Sequence, residues 1–116
     1  MPPEVAKYLQ DVHQAVEALL QMTQGKSLQD YTSDVTLRFA VERAFIIIGE
    51  AMLQASKLDP NLGQSISALR QIIGFRNVLV HGYAVVQHKT VWETVENDVA
   101  TLKQQVDTLL GTSGAP

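Results

Sequence analysis

Apolar residues that recur at steps of three and four commit most of this chain to α-helix. Val5, Leu9, Val12, Val16, Leu19 and Leu20 make one such stripe, the pattern of a helix with one face turned to a core. The helix is expected from about Glu4 to Met22, with Pro2 and Pro3 before it and Gly25 after it as start and stop signals. A second stripe, Leu37, Val41, Ala44, Phe45, Ile48 and Met52, predicts a helix to about Ser56. It begins near Ser33 or Asp34, either of which can cap its free amides. Asp59-Pro60 closes that region, because the residue before proline avoids helical backbone. The polar stretch GKSLQDYTSD between the two reads as a loop. A third helix is expected from about Ser65 to Val80, stopped by Gly82. The fourth covers about Thr90 to Leu110, where Trp92, Val95, Val99, Leu102, Val106 and Leu109 form a heptad-like seam. YAVVQ, between these two, reads as a short extended piece. The whole predicts an all-α, four- to five-helix antiparallel bundle. It forms one domain over residues 1–110, and residues 111–116, GTSGAP, form a flexible tail.

Composition removes several classes of function. With no cysteine among its 116 residues, the chain has neither disulfides nor thiol chemistry nor a cysteine zinc site. His13 and His88 share no ligand spacing with His81, so no metal is assigned, and no cofactor is expected. The start, MPPEVAKYLQD, has no apolar signal core, and no run approaches the roughly 20 apolar residues that span a bilayer. A cytoplasmic protein without membrane contact is therefore expected. A net charge of −3 argues against a broad nucleic-acid surface and leaves room for a local phosphate site. Trp92 reads as core, and Glu17, Glu93, Glu96 and Asp98 read as solvated helix faces.

Chemistry concentrates at the end of the third helix, in Arg76-Asn77-Val78-Leu79-Val80-His81-Gly82-Tyr83. At about 100° per residue, Arg70, Asn77 and His81 share one stripe, and Leu69, Ile72, Ile73, Arg76 and Val80 share an apolar one. Arg76 is thus a cation on a core-facing surface. Glu50 is a matching oddity in the second helix, inside the run FIIIGEAML, and is the first candidate partner for Arg76, with Glu42 the second. A pair would relieve both charges; equally, both stems can reach the bundle edge. Asn77 and His81, at i and i+4, are neighbours, so the amide can orient the imidazole. A fork that grips phosphate beside a proton carrier is a minimal kit for RNA cleavage. A histidine at a helix C-terminus can instead serve only the helix dipole. Arg76 and His81, five residues apart, point about 140° away from each other. Ile46 and Ile47 widen the apolar surface of the second helix beyond one stripe. Both features ask for a second subunit, and a homodimer is expected.

Arg76, four residues, His81, one residue, Tyr83, with Asn77 after the arginine, resembles the signature of HEPN domains of the HepT branch. VERAFIIIGEAM and IIGFRNVLVHGY are similar to that branch as well, and the likeness runs over residues 4 to 110. The resemblance implies a HEPN bundle that dimerises so that two motifs line one cleft. It implies a metal-independent RNase toxin of a bacterial toxin–antitoxin module, with Arg76, Asn77 and His81 catalytic; Glu50, as the candidate partner of Arg76, and Arg70, on the stripe of Asn77 and His81, are expected from the residues themselves to support the site. It implies a partner, the minimal nucleotidyltransferase (MNT) antitoxin, that neutralises the toxin by transferring AMP to Tyr83. The alternative is a non-catalytic HEPN subunit that binds nucleotide or substrate for a separate nucleotidyltransferase.

Overall fold

The computed structural model describes residues 1–111. They form five α-helices: α1 (Pro3–Thr23), α2 (Leu28–Ser33), α3 (Val35–Leu58), α4 (Leu69–His81) and α5 (His88–Leu110). The expected tail lies, from residue 112 on, outside the described residues. α1 opens with a proline in its first turn, where the missing N–H costs nothing. It buries Val5, Leu9, Val12, Val16 and Leu19. Gly25 then reverses the chain at a φ of +72°, backbone that favours glycine.

α2 is a correction to the expected loop. Ser27 Oγ accepts from the Asp30 N–H at 3.1 Å, and Asp30 Oδ2 accepts from the Ser27 N–H at 2.9 Å. This reciprocal cap ties down two otherwise free amides. What drives the turn inward is Tyr31, fully buried and stacked on Trp92 of α5 at 5.4 Å, with the His88 ring edge-on at 6.0 Å. Six residues are too few to show a period, and the aromatic contact that fixes them is distant in sequence.

Asp34 caps α3 by accepting from the Leu37 N–H at 3.1 Å. α3 is the central element, packed along α1 on one side and α4 on the other, with α2 across its start. α5 lies on α1 and α2. Before α4, a 3-10 turn at Leu62–Gln64 carries Leu62 and Ile66 into the core. The Ser67 N–H donates to Gln105 Oε1 of α5 at 3.2 Å. These contacts delay the fourth helix to Leu69, four residues beyond its expected start at Ser65. Its buried side also differs from the expected stripe: Leu79 is buried and Val80 is 38% exposed. Tyr83–Val85 forms a 3-10 turn in place of the extended piece expected there. α5 starts two residues before Thr90 and buries the seam from Val91 and Trp92 to Val106.

An Asp107 clasp joins α1 to α5. Its Oδ1 lies 2.7 Å from His13 Nδ1, and its Oδ2 accepts from Lys103 Nζ at 2.6 Å. Glu17 approaches Lys103 at 3.5 Å and so joins this cluster, where the sequence pointed to a merely solvated face. The bundle measures 41 × 35 × 19 Å, about two helix diameters in its thinnest direction. No helix among the described residues is long and apolar enough to cross a membrane.

Candidate active site

α3 and α4 cross at Gly49. A Cβ at that position would lie 2.2 Å from Arg76 Cβ and 3.2 Å from the Ile72 carbonyl oxygen. Only a residue without a side chain lets the two helices approach so closely, and the stem of Arg76 fills the space. One turn earlier on α3, Phe45 meets Phe75, the residue just before Arg76 on α4, edge-on at 5.1 Å and locks the same crossing.

The next residue on α3 grips the arginine head. Arg76 Nη2 lies 2.8 Å from Glu50 Oε2, a close ion pair though not aligned as a hydrogen bond. Glu50 is steadied in turn by Gln54 Nε2, which donates to its Oε1 at 3.3 Å. Arg76 Nη1 donates to Asn77 Oδ1 at 2.9 Å. The Nε of Arg76 is buried with no acceptor among the described residues. The guanidinium is thus fixed from two sides. Glu42, the second candidate partner, instead adds its charge to the burial that pushes the Tyr31 phenol above its ordinary value.

Asn77 therefore holds the arginine and makes no hydrogen bond to His81. This differs from the role expected for the amide: its oxygen is taken by a charged donor, and among the described residues its NH2 makes no hydrogen bond to the imidazole. His81 ends α4 with its side exposed. The Gly82 N–H donates to the Val78 carbonyl at 2.8 Å, and the Val85 N–H to the Gly82 carbonyl at 2.9 Å. This turn places Tyr83 outward, 76% exposed. Around it, Val78, Val80 and Val85 are 44%, 38% and 73% exposed. Arg70 is exposed a turn and a half before Arg76 and contacts none of these residues. The structure so joins Arg76, Asn77 and Glu50. It leaves His81, Tyr83 and Arg70 apart from them within one protomer. Gly49 and Gln54 were missed by sequence reasoning. A glycine within an apolar helical run, at a cost of about 1 kcal/mol against alanine, and a glutamine four residues after Glu50 were the available signals.

Arg76 and Glu50 also line a groove of about 590 Å³ that runs between α1 and α3. Half-buried Ile46 and Ile47 form part of its floor.

A bundle of this architecture, with Arg-x4-His-x-Tyr closing one helix and the arginine aimed from its neighbour, defines an all-α protein of HEPN type. Comparison with known proteins agrees. The family model described as ribonuclease HepT-like matches residues 12–109. A "putative RNase" of Caldanaerobacter subterraneus subsp. tengcongensis is 32% identical over 103 residues, covering 89% of this chain and 91% of that protein. A "probable ribonuclease HepT" of Thermococcus cleftensis is 33% identical over 105 residues, covering 88% and 92%. No solved structure matches the chain significantly. The chain belongs to the ribonuclease HepT-like family, and with it to the HEPN-type RNases.

Proposed function

We propose that this protein cleaves RNA at a site assembled from two protomers and is silenced by AMP on Tyr83. The observation that carries this reading is the fixed guanidinium of Arg76, committed to α3, with His81 on the other side of the same helix end. Offset by about 140°, the two meet across one phosphate if the partner protomer brings its own α4 alongside. In the reaction, the ribose 2′-oxygen attacks phosphorus as His81 takes its proton. The bond to the 5′-oxygen breaks, that oxygen takes a proton from water, and His81 later returns its own to solvent. Arg76 stabilises the extra charge on the phosphoryl oxygens. The product left on the 3′ end is a 2′,3′-cyclic phosphate. Arg76 supplies the charge and His81 the proton transfer, so cleavage is expected to persist in EDTA.

The substrates on this reading are tRNA or mRNA in the cytoplasm, and the protein is a toxin. Its partner is an MNT-type nucleotidyltransferase antitoxin that breaks the α–β phosphoanhydride of ATP, joins AMP to the Tyr83 oxygen and releases pyrophosphate. A phenol 76% exposed is reachable for that enzyme. The added phosphate sits within reach of the motif and competes with RNA for it.

Purified protein incubated with total tRNA tests the reading. Cyclic-phosphate ends are expected from the parent and none from His81→Ala, with the variant folded and of the same mass. Cleavage at the parental rate by His81→Ala would overturn the mechanism. Co-expression with a nucleotidyltransferase encoded beside it should add AMP mass that Tyr83→Phe removes.

A further inference from the structure

The groove beside Arg76 carries more chemistry than the motif uses. Arg76 and Glu50 line it, and their charges cancel. Two turns away on α3, Arg43 lines the same groove, exposed and without an ion pair among the described residues. Opposite, α1 contributes Tyr8, with Lys7 Nζ 5.9 Å from its ring centroid. The floor between them, at Ile46 and Ile47, is apolar. Asp11 on the α1 rim can only accept hydrogen bonds, which suits an exocyclic amino group. In a chain of net charge −3, this is a local pairing of a cation, an aromatic ring and an apolar floor.

We propose that this groove is a subsite for single-stranded RNA, taking the nucleotide next to the one whose phosphate is cut. Arg43 meets a backbone phosphate and Tyr8 stacks on a base. An arginine free of an ion pair among the described residues, beside a ring that can stack, is what unpaired strands need, since every base has a flat face and every linkage a charge. Seven residues of helix separate Arg43 from Glu50, about 10 Å, so the two arginines contact different phosphates of one strand. The inference rests on the RNase reading above, because Arg76 fixes where the strand starts.

The test uses the full chain carrying His81→Ala, which binds RNA without cutting it, and a fluorescent single-stranded RNA read by anisotropy across a salt series. Arg43→Ala is expected to weaken binding and to lower the slope of log Kd against log salt by about one, the signature of one lost phosphate contact. Tyr8→Leu is expected to weaken it about tenfold, as for one base losing its aromatic partner. Arg43 is exposed, so its variant keeps the fold even where Tyr8→Leu, at a half-buried position, does not. If Arg43→Ala and Arg43→Glu bind as the parent does while Arg76→Ala binds weakly, the groove is not the RNA path, and the RNase reading stands. If Arg43→Glu changes the oligomer mass and leaves RNA affinity alone, the groove belongs to a second copy, and the proposal is wrong. If the His81→Ala protein still cuts RNA, the RNase mechanism fails first and takes the subsite with it.

Discussion

At position 49 the lack of a side chain sets where the motif arginine lies. In a helix interior, Gly→Ala ordinarily favours the helix by about 1 kcal/mol. Here the added methyl would meet Arg76 Cβ at 2.2 Å, and both partners are backbone-proximal atoms with little room to move. Gly49→Ala is therefore expected to destabilise by about 1–3 kcal/mol, as overpacking does, and to lower kcat for RNA by shifting α4 and its arginine. A rise in melting temperature would show that α4 can move away without loss. Glu50→Ala should cost less than a buried pair would. The Glu50 side chain is 45% exposed and that of Arg76 21%, so about 1 kcal/mol is expected from thermal unfolding, between surface and buried pairs. A loss of 3 kcal/mol or more would mean the pair is shielded from water. The charge mismatch of Arg76 and Glu50 inside apolar runs was legible in the sequence, and so was the partner it implied. The role of Gly49 was not, because nothing in one helix says which turn of another crosses it. Asn77 was read towards His81 through helical spacing. Spacing ranks neighbours, but a guanidinium one residue away competes more strongly for the amide oxygen.

Long elements were readable and short ones were not. The stripes of α1, α3 and α5 repeat often enough to fix both helix and buried face. α2 has one buried side chain, Tyr31, and its evidence lies in Trp92, 61 positions later. The Tyr31 hydroxyl is buried with no hydrogen-bond partner among the described residues, an arrangement that costs about 1–3 kcal/mol of desolvation. Tyr31→Phe keeps the stacking and should raise stability by about 1 kcal/mol; a fall in melting temperature would reveal a partner such as a bound water. The α1–α5 clasp sets a pH window. The Lys103 hydrogen bond, and after it that of His13, hold the Asp107 carboxyl below its ordinary value of 3.8 against the opposing effect of burial. A depressed carboxyl contributes stability that is present above its ordinary value and is lost as pH falls through the folded one. The same bond raises Lys103 above 10.5, so that contribution is lost only as pH rises past that value. The Lys103–Asp107 ion pair is complete between these limits. Asp107→Asn should lower the melting temperature at pH 7 and flatten the loss of stability below pH 4. Acid curves that run parallel for parent and variant would place the acid sensitivity elsewhere.

The whole molecule is a thin slab whose α4 packs mainly on α3 alone. Its end and the turn after it carry Val78, Val80, Tyr83 and Val85 towards solvent. Apolar surface left this way asks for a partner, and two-fold pairing of identical chains is the commonest answer. In the sequence, the expectation of a second protomer rests on the opposed directions of Arg76 and His81. The sequence held no information on which faces meet, since that depends on two surfaces at once. The central claim is that each cleavage site takes Arg76 from one protomer and His81 from the other. The direct measurement mixes Arg76→Ala and His81→Ala proteins, each inactive alone, after unfolding and refolding them together. In a mixed dimer, one site has lost both groups and the other retains both. Random pairing makes half the dimers mixed, with one of two sites intact, so RNA cleavage should return to about a quarter of the parental rate. A mixture that stays as inactive as its components, with mixed dimers demonstrated by mass, would contradict the shared site and place Arg76 and His81 in the same protomer's chemistry.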